Sequence, residues 1–221
     1  MNLSRAALVV VDMQNDFCHP DGYYARKGFA VTRAREIIPT LRRMVGAARE
    51  ANRPVVFTRM VHDPLVPDVM SRHRILPPGW RATERRLVPG TWGAEIVEEL
   101  SPREGERIFD KCDYSGFVGT GLGSYLRRRG VDTVVITGTV DYACVLHTAF
   151  DAFCRDFDVV LPHECVSGWD PELGDAARRI VELLLGRVVS CEEALAALQL
   201  GARSSNRGSI DAASDRSAPG V

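Results

Sequence analysis

The sequence predicts an α/β domain with a doubly wound, mainly parallel six-stranded sheet that carries helices on both faces, in three layers. Short runs of apolar, β-branched residues alternate with longer segments in which apolar residues recur at helical spacing. Several of the short runs are nearly continuous in Val and Ile, which is typical of parallel strands covered on both faces. Alternating strands and helices pack in this architecture because each apolar face must be buried against another element. A length of 221 residues suits one such domain.

The elements follow in chain order. The predicted strands are Ala6–Val11, Pro54–Thr58, Arg107–Phe109, Thr133–Thr137, Asp158–Leu161 and Arg187–Val189. The predicted helices are Thr32–Ala51, Gly93–Leu100, Gly121–Arg129, Ala143–Phe153, Leu173–Leu185 and Cys191–Leu198. In the first helix, Ile37, Leu41, Met44 and Ala48 recur at spacings of three and four, and Thr32 can cap its beginning.

Two segments interrupt the alternation. Arg59–Gly90 is rich in Pro, Arg and His and is predicted to be a long loop, a kind of segment that often carries function. Gly201–Val221 is rich in Ser, Gly, Ala and Asp and is predicted to be a disordered tail. We therefore expect one domain over residues 1–200 and a tail over residues 201–221.

The composition argues against several classes of partner. Because 28 Lys and Arg face 29 Asp and Glu, the charge gives no reason to expect nucleic acid or an anionic membrane surface. No apolar run reaches the roughly 18–20 residues that span a bilayer, and the N-terminus lacks the features of a signal peptide. A soluble cytoplasmic protein is therefore expected. The six cysteines show no CxxC pair, so most of them are interpreted as small buried residues rather than disulfide partners.

Three residues that can carry chemistry follow predicted strands. Asp12 comes after the first strand, Lys111 after the third, and Cys144 after the glycine-led turn that follows the fourth. Because ligands of open parallel sheets bind at the carboxyl ends of the strands, these side chains are expected at one edge. Taken singly, they could equally be a turn-capping acid, a solvated lysine and a buried cysteine. Their common position favours a site.

Cys144 has the most favourable surroundings of the six cysteines. It opens a predicted amphipathic helix, and the free N–H groups and positive dipole end of a helix favour a thiolate. A neighbouring lysine would add to this effect. The sequence thus favours Cys144 as a nucleophile.

Two competing motifs are weaker. Gly119–Gly123 has the spacing GxGxG, whereas a dinucleotide-binding turn needs GxGxxG directly after a strand. His62, Asp63 and His73 could ligate zinc, but no pair of ligands has the i, i+4 spacing of a helical site. Neither a cofactor nor a metal is therefore predicted.

Three blocks of sequence resemble the isochorismatase-like cysteine hydrolases. This superfamily includes nicotinamidases, N-carbamoylsarcosine amidohydrolase, biuret hydrolase and ureidoacrylate amidohydrolase. The blocks are Val9–Phe17, Pro89–Ile96 leading to Lys111 and Tyr114–Phe117, and Gly138–Val145 followed by Thr148, Ala149, Asp151 and Ala152. The resemblance covers about Leu8 to Leu198, which is nearly the whole chain without its tail.

The resemblance implies a catalytic triad of Asp12, Lys111 and Cys144. It also implies a cis peptide bond between Thr139 and Val140, which would aim the Val140 and Cys144 N–H groups at one point as an oxyanion hole. Two departures stand out. Asp141 brings an extra carboxylate near the thiol, and the nicotinamidase metal motif is not reproduced.

The implied reaction is hydrolysis of a small amide, N-carbamoyl or ureido compound through a thioester, with release of ammonia or an amine. Its pocket wall is expected to include Gln14, Phe17, Trp92, Tyr114, Phe117 and Thr139. Two alternatives stay open. One is an isochorismatase-type vinyl-ether hydrolase, which needs no cysteine nucleophile, and the other is a non-catalytic member that binds a partner. The resemblance also implies a homodimer or homotetramer.

Overall fold

The computed structural model of the chain describes residues 1–62 and 86–200. The predicted tail and most of the predicted loop Arg59–Gly90 lie outside the described residues, so both stay predictions. The same holds for the cytoplasmic location and for the oligomeric state. Within the described ranges, no helix has both the length and the apolar composition needed to cross a membrane.

A parallel sheet forms the centre of the molecule. Its strands are β1 (Ala6–Val11), β2 (Val55–Met60), β3 (Arg107–Lys111), β4 (Thr133–Thr139), β5 (Asp158–Pro162), β6 (Val166–Ser167) and β7 (Gly186–Val189). They are arranged in the order β3-β2-β1-β4-β5-β7, and β6 pairs with the end of β4. Every pairing is parallel, which confirms the predicted architecture. The two-residue β6 was not predicted, because it is too short to leave a pattern.

Helices surround the sheet. They are α1 (Asn15–Cys18), α2 (Tyr23–Arg26), α3 (Thr32–Glu36), α4 (Ile38–Glu50), α5 (Leu122–Arg128), α6 (Leu146–Phe153), α7 (Pro171–Ile180) and α8 (191–200). Single π-helical turns over Asp141–Val145 and Val181–Leu185 precede α6 and follow α7. The short α1 and α2 were not predicted.

Two helix predictions were wrong in their extent. The segment predicted as Thr32–Ala51 is divided at Ile37, because Pro39 has no N–H to donate to the preceding turn. The helix predicted over Gly93–Leu100 is instead two 3₁₀ turns, Trp92–Ala94 and Glu98–Leu100. Between those turns Ile96 forms an antiparallel bridge to Gln14, so extended backbone replaces the predicted helix.

The sheet order places the ligand-binding edge. Strand β1 lies at the middle of the sheet and is fully buried between β2 and β4. The chain runs outward from β1 towards β3 on one side and outward from β4 towards β7 on the other. A crevice opens at the carboxyl ends of the strands where the order reverses in this way, and here that point lies between β1 and β4.

Candidate active site

Three predicted residues meet at this crevice. The Lys111 Nζ atom lies 2.6 Å from Asp12 Oδ2 and 3.4 Å from Cys144 Sγ. Asp12 is the first residue after β1, Lys111 is the last residue of β3, and Cys144 lies in the π-helical turn before α6. All three side chains are buried. The structure thus brings together the acid, the base and the thiol that the sequence placed on one edge.

Neighbouring groups fix the orientation of the two charged side chains. The Thr58 hydroxyl donates to Asp12 Oδ1 at 2.7 Å, which leaves Oδ2 for Lys111. Lys111 also donates to the carbonyl of Asp113 at 3.0 Å, so its ammonium group has three acceptors. A buried ion pair needs such additional hydrogen bonds to offset the loss of hydration.

A glycine at the end of β4 lets this strand approach β1 closely. Gly138 has a φ of 108°, and a Cβ atom on it would lie 2.1 Å from the carbonyl oxygen of Val11. No other residue fits this position without displacing the backbone that carries Asp12. The glycine therefore sets the spacing between Asp12 and the turn that carries Cys144.

The peptide bond between Thr139 and Val140 is cis, as the resemblance implied. In the part of the chain that the structure describes, the Val140 N–H donates no hydrogen bond. Val140 lines the same pocket as Cys144. Its N–H is thus available to a ligand.

Burial controls the charge state of the thiol. The pKa of Cys144 is raised to about 12, mainly by burial; the Lys111 ammonium lowers it and the Asp12 carboxylate raises it. Burial by itself would lower the pKa of Lys111, but the Asp12 carboxylate and the contact with Cys144 outweigh it and the pKa is raised. At neutral pH the free site therefore holds an uncharged thiol beside a carboxylate–ammonium pair. Burial thus opposes the helix N-terminus and the lysine, which by themselves favour a thiolate.

A cavity of about 170 Å³ opens above Cys144. The described residues of its wall are mainly aromatic and apolar, namely Phe17, Tyr24, Phe29, Met60, His62, Tyr114, Val140, Tyr142, Ala143, Cys144 and Trp169. Trp169 packs at a tilt against both Tyr24 and Phe29, with ring centroids 4.6 Å from each. Such a volume accommodates only a small molecule.

The model of the isochorismatase domain matches residues 6–193 of this chain. The chain belongs to the isochorismatase family. It is 34% identical over 195 residues to the ureidoacrylate amidohydrolase RutB of Methylorubrum extorquens, a match that covers 82% of this chain and 77% of that protein.

Solved structures of the isochorismatase family share the fold. A cysteine hydrolase from Pseudomonas syringae pv. phaseolicola superposes with a TM-score of 0.78 at 25% identity, over 91% of this chain and 95% of that one. The N-carbamoylsarcosine amidase of Thermoplasma acidophilum gives a TM-score of 0.69 at 31% identity, over 85% and 96% of the two chains. With the curated relatives, this membership confirms the prediction of a hydrolase that acts on non-peptide C–N bonds.

The predicted pocket residues of this isochorismatase-family chain divide into two groups. Phe17 and Tyr114 lie on the pocket wall, beside Val140 and Cys144. The structure places Gln14, Trp92, Phe117 and Thr139 elsewhere.

The four residues outside the wall have structural contacts instead. The Gln14 amide donates to the carbonyls of Met60 and Ala94 and accepts from the Met60 N–H, so it joins β2 to the first 3₁₀ turn. Trp92 is 51% exposed and packs edge-on against His19. Phe117 packs on Phe157 in the core, and the Thr139 hydroxyl donates to the carbonyl of Ser167. The interpretation of these four as pocket residues has no support in the geometry.

The remaining wall residues were missed by sequence reasoning. Tyr24 lies in the unpredicted α2, and Trp169 is the second residue after the unpredicted β6. The sequence contains no signal for Trp169, because β6 is too short to leave a pattern. Tyr24 and Phe29 give no signal either, since aromatic residues in irregular segments usually pack in the core.

Asp141 is turned away from the thiol. Its carboxylate is buried between Gly168 and Gly174, where a Cβ atom on either glycine would lie 2.2 or 2.4 Å from a carboxylate oxygen. It pairs with Arg178 at 3.4 Å and accepts the Tyr142 N–H at 2.9 Å. The extra carboxylate therefore anchors the turn that carries Cys144 to α7.

The zinc alternative falls partly outside the described residues, because Asp63 and His73 belong to the range that the structure does not describe. Over residues 1–62 and 86–200, no three His, Cys, Asp or Glu side chains are grouped as metal ligands. His62 lies on the pocket wall.

The buried ion pair gives a testable prediction on stability. Replacing Lys111 by Met leaves the Asp12 carboxylate buried without a counter-ion, which we expect to lower the free energy of unfolding by about 3–5 kcal/mol. Chemical denaturation measures this loss. Lys27→Met is the control, because Lys27 is the only other lysine of the chain and is exposed. Adding Asp12→Asn to Lys111→Met should recover much of the loss, and a loss no larger than that of Lys27→Met would contradict the prediction.

Proposed function

We propose that this isochorismatase-family chain is a cysteine amidohydrolase of small amide, N-carbamoyl or ureido compounds. It forms a thioester with the substrate and releases ammonia or an amine. The observation that carries the proposal is the contact of Lys111 with both Asp12 and Cys144, where Cys144 lies on the wall of a small pocket.

The first step needs a base, because Cys144 is an uncharged thiol in the free site. Asp12 takes the proton from Sγ as the sulfur attacks the carbonyl carbon, so that a C–S bond forms and the carbonyl oxygen becomes an oxyanion. Lys111 stabilises the negative charge that develops on the sulfur as the proton leaves, since its Nζ atom lies 3.4 Å from Sγ. The low dielectric of the buried site strengthens this attraction.

The oxyanion is held by backbone donors. The N–H groups of Val140 and Cys144 are the proposed pair, and Val140 has no competing acceptor within the described residues. One such donor typically accounts for about 10²–10³ in rate.

Asp12 then returns its proton to the leaving nitrogen, and the C–N bond breaks to give a thioester and ammonia or an amine. In the second half, Asp12 takes a proton from water as the water oxygen attacks the thioester carbon. The C–S bond breaks, the acid product leaves, and the proton returns to the sulfur of Cys144. One carboxylate thus serves both half-reactions.

The class of substrate is supported by the pocket and by the relatives. A volume of about 170 Å³ with a mainly aromatic wall excludes peptides and other large substrates. Two relatives are named for N-carbamoyl or ureido substrates, ureidoacrylate and N-carbamoylsarcosine. Cleavage of such a compound is the form of the reaction that we propose.

A substrate panel tests the proposal. The purified chain is incubated with simple amides, N-carbamoyl amino acids and ureido acids, with and without hydroxylamine, and ammonia, amine and hydroxamate are measured. We expect release of ammonia or amine from at least one compound, and hydroxamate from the same compound, because hydroxylamine intercepts a thioester. Cleavage of isochorismate without hydroxamate would instead support the vinyl-ether hydrolase, and binding without any product would support a non-catalytic member.

A further inference from the structure

A buried guanidinium lies behind the pocket wall. Arg86 is only 5% exposed, and its Nη2 atom is buried without a hydrogen-bond partner. Among the described residues, no carboxylate pairs with it. The Asp16 carboxylate contacts the residue after Arg86, but its two oxygens accept the N–H groups of Tyr23 and Leu87 at 2.9 and 2.7 Å.

Such a charge is costly to leave unpaired. A guanidinium cannot lose its proton in a protein, so it cannot escape burial by becoming neutral. The contacts of Arg86 are to uncharged groups, namely the Tyr24 hydroxyl and the face of the Tyr23 ring at 5.7 Å. Buried charges are normally paired, whereas Arg86 has no anionic partner among residues 1–62 and 86–200.

The position of Arg86 links it to the pocket. Tyr24 and His62 both lie on the pocket wall, and the His62 N–H donates to the carbonyl of Leu87, the residue after Arg86, at 3.0 Å. Burial, followed by the charges of Arg86 and Lys111, lowers the pKa of His62 to about 3. His62 is therefore uncharged, and it lies close enough to both Arg86 and Lys111 to feel their positive charges.

The wall itself offers a second unused donor. The Nε1–H group of Trp169 is buried and has no acceptor among the described residues, and its ring packs on Tyr24. Among the described residues of the pocket wall there is no Asp or Glu. Unused donors together with an absence of acidic wall residues suit a ligand that is rich in acceptors and negatively charged.

We propose that Arg86 determines specificity by pairing with a carboxylate that the substrate carries away from its scissile bond, with the Trp169 N–H as a second donor. This inference rests on the proposed function for the reaction, but the binding of the carboxylate can be measured without it. Arg86 acts on binding and not on the reacting atoms.

A matched pair of compounds tests the charge. N-carbamoyl-β-alanine and its amide differ only in the group that would face Arg86. We expect kcat/KM for the acid to exceed that for the amide by about ten- to a hundredfold in the unmodified chain. In Arg86→Met the two values should agree within about threefold, mainly through a higher KM for the acid, and Arg86→Lys should retain part of the preference.

A control variant separates this role from a structural one. Arg129→Met removes an exposed guanidinium that also lies over a ring, that of Tyr125 at 5.2 Å, and should leave the acid preference unchanged. Without an anion, Arg86→Met should unfold at the same temperature as the unmodified chain or higher, because an unpaired buried charge is replaced by an apolar side chain. Lower stability of Arg86→Met with an unchanged acid preference would overturn the proposal.

Binding without turnover distinguishes a failure of the carboxylate site at Arg86 from a failure of the proposed reaction. In the Cys144→Ala background, the acid should raise the unfolding temperature and the amide should not, and Arg86→Met should abolish the difference. If neither compound is hydrolysed but the acid still stabilises this variant through Arg86, the carboxylate site stands and the proposed reaction is at fault. If the acid and the amide are hydrolysed equally well, or are bound equally well, Arg86 does not bind the carboxylate and the inference is wrong.

Discussion

Replacing Asp12 by Asn should lower kcat/KM by about a thousandfold or more while making the Cys144 thiol easier to ionise. The amide keeps the shape of the side chain and an oxygen for the Thr58 hydroxyl, but it cannot take a proton. The charge of Asp12 and its contact with the thiol both raise the pKa of Cys144, and Lys111 opposes them. Without the carboxylate the pKa should therefore fall, although turnover is lost.

Alkylation by iodoacetamide measures the second effect. In the unmodified chain, the rate at Cys144 should rise about tenfold per pH unit between pH 7 and pH 10 without a plateau, because the pKa is raised to about 12. In Asp12→Asn the rate at pH 8 should be higher than in the unmodified chain. Mapping of the modified peptides supplies a control for unfolding, since Cys18, Cys165 and Cys191 are buried and should stay unmodified in a folded protein.

In Asp12→Asn, the loss of turnover and the faster alkylation of Cys144 must occur together. If Cys144 of the variant is alkylated faster while the variant hydrolyses its substrate more slowly, the role of Asp12 as a base is separated from its effect on the pKa of the thiol. Unchanged turnover in Asp12→Asn would remove Asp12 as the base. A plateau of the alkylation rate below pH 8 in the unmodified chain would show that the resting site already holds a thiolate.

Cys144→Ala should abolish hydrolysis of every amide and ureido substrate, with a loss of about ten-thousandfold or more. The sulfur is the only atom of the side chain that can form the thioester, and alanine fills most of the same buried space. We expect the variant to fold and to bind substrate, because the pocket wall is otherwise unchanged. Ammonia or amine release under saturating substrate measures the loss.

Cys154→Ala is the matched control for this variant. Cys154 directly follows α6, the helix that Cys144 precedes, but it is exposed and remote from the triad. Its replacement should leave turnover unchanged. Residual turnover of Cys144→Ala within tenfold of the unmodified chain would mean that another group, such as a water activated by Asp12, attacks the substrate.

The reactive end of the site could be predicted from the sequence because it depends on strand ends. A parallel sheet brings residues that follow its strands to one edge, so the sequence alone predicts that Asp12, Lys111 and Cys144 lie together. The charge state could not be predicted in the same way. It depends on how deeply the thiol is buried and on the contact of Asp12 with Sγ, and both are properties of the packed structure.

The binding end could not be predicted, because it is built from residues without periodic pattern. Tyr24 comes from a helix of four residues, and Trp169 follows a strand of two. Gln14 was interpreted as a pocket residue because it lies near Asp12, yet its amide is fully used by backbone partners. Arg86 belongs to an arginine-rich stretch that reads as a solvated loop, so only its burial distinguishes it.

Mass spectrometry of the protein after a rapid acid quench tests the central claim most directly. During turnover of an amide or ureido substrate, we expect part of the protein to carry one additional acyl group, and peptide mapping to locate it on Cys144. Addition of hydroxylamine before the quench should remove this adduct and yield hydroxamate. Sustained turnover with no adduct on Cys144, together with full activity of Cys144→Ala, would contradict covalent catalysis by this cysteine.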